Sequence, residues 1–445
     1  MDAILFWNQV SLDANKTDFS SDKPETPINS EQGGPTRTSR ALAIVHLAMY
    51  DAYVGVTGAA ATYLTYAPTA GTTNVDAARA AVSAAACETL SALYIGQRAT
   101  FQKKHLEFVS MLTTGSDPDV ELGLNWGRLV AVAMLDSRKG DGSDVSDDLY
   151  VPSAEPGRHR VDPQNPGQGN LGPHWGKVKP FGINHLTTVI PAMPHYALNS
   201  AAYKLAFDEV KAKGALTGVT RAPDETVVGV YWAYDGARNI GVPPRLYNQA
   251  VRAIAIKQAT TEAANARLFA MANVAMADAG ILAWHVKYQF NLWRPVVGIR
   301  ESDVGWGPTG KGDGNSTAGD PFWVPLGAPR TNQPGFPGAT PNFPAYPSGH
   351  ATFGAAALRV VESELGLLNT FEFGFISDEL NGESIDRDGT ARARFLPNMT
   401  IDKAIQDNLD SRVWLGVHWR FDGTEGVRLG SEIATRIQTA FPAKA

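Results

Sequence analysis

Apolar residues return at helical spacing through most of this chain, and strand-like alternation between turn signals is scarce. That pattern restricts the chain to all-α architectures. Helices are expected over Ser39 to Tyr53, Asp76 to Tyr94, Gln97 to Leu112 and Asp119 to Arg138, each opened or closed by Thr, Asp, Asn or Gly. Four such elements suffice for one bundle. Further along, Pro223 leads a helix through Ala233, Pro243 and Pro244 open another, and Thr260 to Phe290 forms a long Ala-rich helix that Pro295 stops. Thr400 to Trp419 and Gly423 to Ala440 close a second bundle. At 445 residues, surface-to-volume scaling favours two packed units over one swollen one. The expected division is residues 1–210 and 211–445, with the active site in the C-terminal bundle. Gly140 to Pro180 and Gly298 to Tyr346 break the pattern with Gly, Pro, Asn and Asp or Thr. The first reads as a surface connection and the second as a loop over or beside a site.

Hydrophobic residues at 44% and charged residues at 19% suit a globular enzyme and are too apolar for disorder. A net charge of −6 without any long Lys or Arg run argues against a nucleic-acid surface, so an anion must be caught locally. With Cys87 alone, an intramolecular disulfide or a thiolate cluster is impossible. No stretch approaches the roughly 18 uninterrupted apolar residues of a membrane span; His46 and Asp51 interrupt the best candidate, Ala41 to Val56. No signal peptide is visible, since the apolar patch after Asp2 runs into Asn8 and Gln9. A soluble protein is expected, either cytoplasmic or secreted with a signal removed.

Three segments of the second half carry candidate chemistry. Lys287-x6-Arg294-Pro295 places a Lys and an Arg seven residues apart, about two helical turns, on one face. Pro347-Ser348-Gly349-His350 precedes an apolar helical run, so the Ser348 hydroxyl and the Gly349 N–H sit at a helix N-terminus, where orphan N–H groups and the dipole favour an anion. Ser411-Arg412-x5-His418-x3-Asp422 sets Arg412 and His418 six apart on a helix, with Asp422 one turn beyond. There Asp422 can fix the imidazole tautomer and raise the basicity of the nitrogen facing the site. Separately, each fragment is ordinary: a solvated face, a helix cap, a structural histidine. Together they converge on one task, binding a tetrahedral oxyanion.

The three fragments in this order resemble the signature shared by the vanadium haloperoxidases and the type 2 phosphatidic acid phosphatase superfamily. The likeness extends through Tyr231-Trp-Ala-Tyr-Asp-Gly236, Pro243-Pro-Arg-Leu-Tyr-Asn248, Phe343 to Gly354 and Leu415 to Asp422, where it is most similar to chloroperoxidases. It covers Tyr231 to Gly430; in the first half only Thr38-Ser-Arg-Ala-Leu-Ala and His46-Leu-Ala-Met-Tyr-Asp51 match. The resemblance implies a vanadate cofactor with His418 as the sole protein ligand to vanadium. Lys287, Arg294, Arg412, Ser348 and the Gly349 N–H then neutralise the equatorial oxygens. It also implies His350 as acid–base, Lys287 as the group that polarises bound peroxide, and Asp422 behind His418. Asp235 is the candidate partner of Arg412. Trp284 and Phe343 fall where chloroperoxidases line the halide side, although similar aromatic pairs also occur in bacterial iodoperoxidases and two aromatic core residues would look the same. His285 faces about 100° away from Trp284 on a helix and reads as structural.

The implied partners are hydrogen peroxide, halide and small organic acceptors, in a possible homo-oligomer. The rival within the superfamily is a vanadate-inhibited acid phosphatase with His418 as nucleophile and His350 as leaving-group acid. A silent helical scaffold that binds phosphate or a protein partner is the third reading. The motif fits both chemistries; the aromatic pair, the Phe343 to Gly354 match and the long N-terminal half favour the oxidase.

Overall fold

The computed structural model describes the chain except for residues 21–27, 113–116, 148–149, 185, 190–196, 316–317 and 443–445. Parts of both expected loops, 148–149 and 316–317, therefore lie outside the described residues. Among the described residues the fold is helical, with one two-stranded antiparallel pairing of β1 (Glu372–Phe373) and β2 (Met399–Thr400).

The first bundle is built from α2 (Gly34–Thr57), α3 (Val75–Leu93), α4 (Arg98–Ser110) and α5 (Pro118–Ser137), with α1 (Ala3–Asp18) against α3. Next in the chain come α6 (Ala201–Lys213) and α7 (Pro223–Tyr231), both packed on α12. The second bundle comprises α8 (Pro243–Lys257), α9 (Glu262–Phe290), α10 (Pro295–Glu301), α11 (Gly349–Leu365), α12 (Ile401–Trp414) and α13 (Arg420–Ala440). Helices α2 and α9 pack on each other, and one continuous apolar core runs through both bundles. The division expected after residue 210 falls inside α6, which packs on α10, α12 and α13 as one element.

Helix α1 was invisible to periodicity because its buried face is partly polar. Asn8 Nδ2 lies 3.1 Å from His46 Nε2 and donates to Asn248 Oδ1 at 3.2 Å, while Asn15 Nδ2 donates to Thr38 Oγ1 at 3.1 Å. Among the described residues, the helix that comes nearest to a membrane span is α9 and not the Ala41 to Val56 stretch. By length and composition α9 could cross a membrane, but its apolar window is wholly buried in the protein, where it forms the axis of the second bundle. On it, Asp278 accepts the N–H groups of Phe181, Gly182 and Ile183 at 2.7–2.9 Å, tying the first long loop to the bundle.

Two expected elements, the loop from Gly298 and the helix from Thr400, differ in the structure, and α9 ends where expected but is stopped at Asn291 before Pro295 is reached. Helix α9 ends at Phe290 through Asn291, whose left-handed φ of 54° lets its N–H reach the Lys287 carbonyl. Pro295 then opens α10 at the position where its missing N–H costs nothing, so the Gly/Pro-rich loop begins after that helix and not at Gly298. Helix α12 ends at Trp414 instead of reaching Trp419. A turn through Gly416, with φ of 73°, separates it from α13, so His418 lies in the turn and Asp422 in the first turn of α13.

The packing of α11 on α13 sets the position of the site. A Cβ on Gly426 would fall 2.7 Å from the Ser348 carbonyl oxygen, and one on Gly430 would fall 2.3 Å from that of Thr352. The two helices approach this closely only because these positions carry no side chain. In addition, the Ser348 N–H donates to the Asp422 carbonyl at 2.8 Å. Alanine at an exposed helical glycine usually stabilises, by about 1 kcal/mol. Gly430→Ala is expected to reverse that sign and cost about 1–3 kcal/mol by overpacking, read as a lower urea midpoint at unchanged m-value.

Candidate active site

Lys287 sits in the last turn of α9 and is fully buried. Arg294 is the N-cap of α10. The two meet because the chain turns at Asn291, and not because seven residues span two turns of one helix. Likewise, Arg412 and His418 do not share a helix: the turn after Trp414 folds His418 back so that its N–H bonds the Arg412 carbonyl at 3.2 Å. The expected convergence is present, reached by tight turns between helices.

The hydrogen bonds fix the form of both imidazoles. Arg294 can only donate, and its Nη1 lies 2.9 Å from His418 Nε2, so Nε2 is the lone-pair nitrogen. His418 Nδ1–H therefore donates to Asp422 Oδ2 at 3.0 Å, and the same oxygen accepts the Trp419 N–H at 2.9 Å. His350 behaves in the opposite sense. Its Nε2 lies 2.5 Å from the Ala233 carbonyl, which can only accept, so Nε2 carries the proton and Nδ1 carries the lone pair. The His350 carbonyl is in turn held by Tyr247 Oη at 2.8 Å and Asn408 Nδ2 at 2.9 Å.

Arg412 Nη2 donates to both oxygens of Asp235 at 2.9 Å, and Asp235 lies 3.9 Å from His350 Nε2. Arg294 also donates from Nε to the Phe343 carbonyl and from Nη1 to that of Val417, both at 2.8 Å. Three guanidinium nitrogens, Arg294 Nη2 and Arg412 Nε and Nη1, are buried and have no partner among the described residues. Leaving buried donors unpaired costs about 1–3 kcal/mol each, more for charged groups. An anion is what they lack. Lys287 differs from expectation here: its ammonium donates to the carbonyls of Pro344 (2.8 Å), Ala345 (3.1 Å) and Pro347, so its charge is present but direct contact with an anion requires exchange of a carbonyl.

Electrostatics follow from the crowding of positive charge in a dry place. Burial, then Arg294, holds Lys287 well below the usual lysine range. Burial also brings Arg294 down to about 9, with Asp422 partly offsetting it. His418 lies well below 6.5, first by burial and then through Arg294, Lys287 and Arg412. Burial and Arg412 lower His350 to about 3. Both imidazoles are thus neutral across the physiological range. Burial raises Asp422 to about 7.

Ser348 is the N-cap of α11, and its Oγ faces the Ala351 N–H at 3.4 Å. The Gly349 and His350 N–H groups open the helix and have no partner within it. Gly349, His350, Asp235, Trp284 and Phe343 all line a cavity of about 450 Å³, while the cations and His418 lie behind its wall. Trp284 and Phe343 are in tilted contact, with centroids 4.7 Å apart. The Lys287 ammonium stands 5.6 and 5.1 Å from these ring centroids and the Arg294 guanidinium 4.9 Å from that of Phe343. His285 is half-buried, and its backbone packs closely against Gly176.

Sequence reasoning missed the Ala233 carbonyl, which no side chain announces. It also missed His159, buried in the first Gly/Pro-rich segment and pushed down to about 3 by burial and then by Arg294.

An all-α chain whose second bundle buries two arginines and a lysine beside two neutral imidazoles and a helix N-terminus has the marks of the oxyanion-binding class. The comparisons narrow the class. Residues 267–442 match a family model described as the VCPO second helical-bundle domain, and residues 1–169 match the vanadium chloroperoxidase N-terminal domain. The vanadium chloroperoxidase of Curvularia inaequalis is 34% identical over 505 residues, covering 94% of this chain and 78% of that protein. Among solved structures, a bacterial vanadium-dependent iodoperoxidase shares the fold with a TM-score of 0.75 and 22% identity, over 99% of this chain and 96% of that one. A holo-type bacterial vanadium-dependent chloroperoxidase does so at 0.65 and 16%, over 96% and 95%. The chain belongs to the vanadium haloperoxidase family.

If the unpaired guanidinium nitrogens await an oxyanion, inorganic phosphate alone should raise Tm, by about 2.7 kcal/mol of stabilisation at 100 times Kd. Arg294→Gln should shrink that shift. Scanning fluorimetry that finds the same small rise in both proteins would contradict this account.

Proposed function

We propose that the chain binds vanadate and uses hydrogen peroxide to oxidise halide to hypohalous acid. The observation that carries this reading is the His418 Nε2 lone pair. It is held neutral by its surroundings, its ring is oriented by Asp422, and it lies against Arg294, one of the two arginines whose buried nitrogens lack a partner among the described residues. A metal oxyanion uses both features, one nitrogen ligand and several N–H donors to oxygen. Bound vanadium(V) would supply a Lewis acid that activates peroxide without changing oxidation state.

The chain's own groups do the rest. His418 Nε2, now facing Arg294, would be the nitrogen that holds the metal, while Asp422 keeps the proton on Nδ1 and so leaves that nitrogen its lone pair. Arg294 Nη2, Arg412 Nε and Nη1, the Ser348 hydroxyl and the Gly349 N–H would hold the oxygens. Lys287 adds positive charge at the wall shared with Trp284 and Phe343, which favours attack by an anionic halide there. His350 presents Nδ1 as proton acceptor when peroxide loses a proton, and returns it to the departing oxygen. The two aromatic faces leave a weakly hydrated halide side, which supports oxidation of chloride as well as bromide and iodide. The Asp235 pair keeps Arg412 Nη2 engaged, so its other two nitrogens face the site.

The test is bromination of monochlorodimedone with peroxide, with and without orthovanadate, alongside hydrolysis of p-nitrophenyl phosphate. Vanadate-dependent bromination is expected. Hydrolysis blocked by vanadate, without bromination, would instead make His418 a phosphoryl acceptor. His418→Ala is expected to abolish vanadate retention in equilibrium dialysis; tight retention would remove it as ligand. His350→Ala should retain vanadate and lose about 10²–10⁴-fold in turnover, the usual worth of general acid–base help.

A further inference from the structure

The cavity in front of the cationic pocket is much larger than the proposed inorganic reactants need. Peroxide and a halide ion are each on the order of a water molecule, about 30 Å³, whereas the cavity is about 450 Å³, within the roughly 300–1,000 Å³ of pockets that bury small organic molecules. Its walls are largely apolar. Phe19, Leu171, Val242 and Phe343 face it from four separate parts of the chain, and Gly349 and His350 lie at its reactive end.

One cation in this wall is uncommitted. Arg330 is half-buried, lines the cavity, and its guanidinium makes no hydrogen bond or ion pair among the described residues. The carboxylates nearest in effect, Asp235 and Asp162, are taken: Asp235 by Arg412, and Asp162 by the N–H groups of Gln164, Asn165 and Thr340. Burial accordingly draws Arg330 below the usual arginine range. A planar cation in a cavity that Phe19, Leu171, Val242 and Phe343 also line is the complement of a planar anion with an apolar body.

We infer that this cavity binds the organic acceptor, and that the acceptor is an anionic aromatic compound: its charged oxygen pairs with Arg330, its ring lies among Phe19, Leu171, Val242 and Phe343, and a ring carbon faces the His350 end. The inference rests on the haloperoxidase reading. There, peroxide, halide and a proton give hypohalous acid and water, so peroxide is reduced by two electrons and halide oxidised by two. In the cavity the ring carbon attacks halogen: the carbon–halogen bond forms, the halogen–oxygen bond breaks, and the ring proton leaves with the released hydroxide as water. Halogenation at this site is then directed by the protein and not by hypohalous acid free in solution.

Two measurements test the proposal. In the first, 4-hydroxybenzoate is titrated into the protein by calorimetry without peroxide or halide. Binding is expected, at least ten-fold weaker in Arg330→Gln and ten-fold weaker for the neutral 4-hydroxybenzamide; equal affinities, or no binding to the wild type, would overturn the proposal. In the second, the vanadate-loaded enzyme brominates an equimolar mixture of the two compounds. The product ratio is compared with that from slowly added hypobromous acid. A ratio shifted at least ten-fold towards the benzoate, returning to the free-reagent ratio in Arg330→Gln at unchanged peroxide consumption, supports the site; the free-reagent ratio in the wild type contradicts it. Absence of any bromination would refute the haloperoxidase reading, while the calorimetric result would still decide whether the cavity takes an aromatic anion.

Discussion

Three cationic side chains are held in the dry interior of the second bundle, and only part of their hydrogen-bonding capacity is met from within the protein. Arg412 has Asp235 as counter-ion and Lys287 has three carbonyls, yet three guanidinium nitrogens remain without an acceptor. A buried cation that lacks a full set of partners destabilises the fold that holds it. The arrangement makes physical sense as one half of an interaction whose other half is an oxyanion. Burial keeps both imidazoles neutral, and the neighbouring cations add to it, because a further proton would add charge of the sign already in excess.

The fold produces this imbalance through a few tight turns and one close helix contact. Asn291, in a left-handed conformation, and the turn at Gly416 bring Arg294 and His418 back against side chains that precede them in the sequence. Gly426 and Gly430 let α13 approach α11 closely enough for the Asp422 carbonyl to bond the Ser348 N–H. The helix N-terminus and the His–Asp pair are thereby parts of one packed unit, and each fixes the other's geometry. The opposite tautomers of His418 and His350 come from what faces them: a guanidinium that can only donate, and a carbonyl that can only accept. One imidazole is prepared as a ligand and the other as a proton carrier.

Much of this was readable in the residues. The helical architecture followed from the period of apolar positions, and the candidate site was drawn from cations, Ser-Gly-His and His-x3-Asp falling in one half of the chain. Asp235 could be proposed as the partner of Arg412 because its segment, Tyr-Trp-Ala-Tyr-Asp-Gly, resembles the haloperoxidases; composition alone did not single it out. What spacing could not supply was the local path. Seven residues between Lys287 and Arg294, and six between Arg412 and His418, suit one helical face, but the chain breaks the helix in both intervals, at Asn291 and at Gly416. Helix α1 was hidden because Asn8 and Asn15 are buried in polar contacts that interrupt an apolar stripe. The Ala233 carbonyl that orients His350 has no side-chain signature at all. Arg330 sits in a Gly/Pro-rich loop, where composition marks a site nearby without saying which residue faces it.

The most direct test of the account is a crystal structure of the protein grown with orthovanadate. The account predicts a single vanadium atom bonded to His418 Nε2, with Arg294 Nη1 displaced from that nitrogen and the free nitrogens of Arg294 and Arg412 on the vanadate oxygens. Vanadate found elsewhere, with Arg294 still donating to His418, would contradict it.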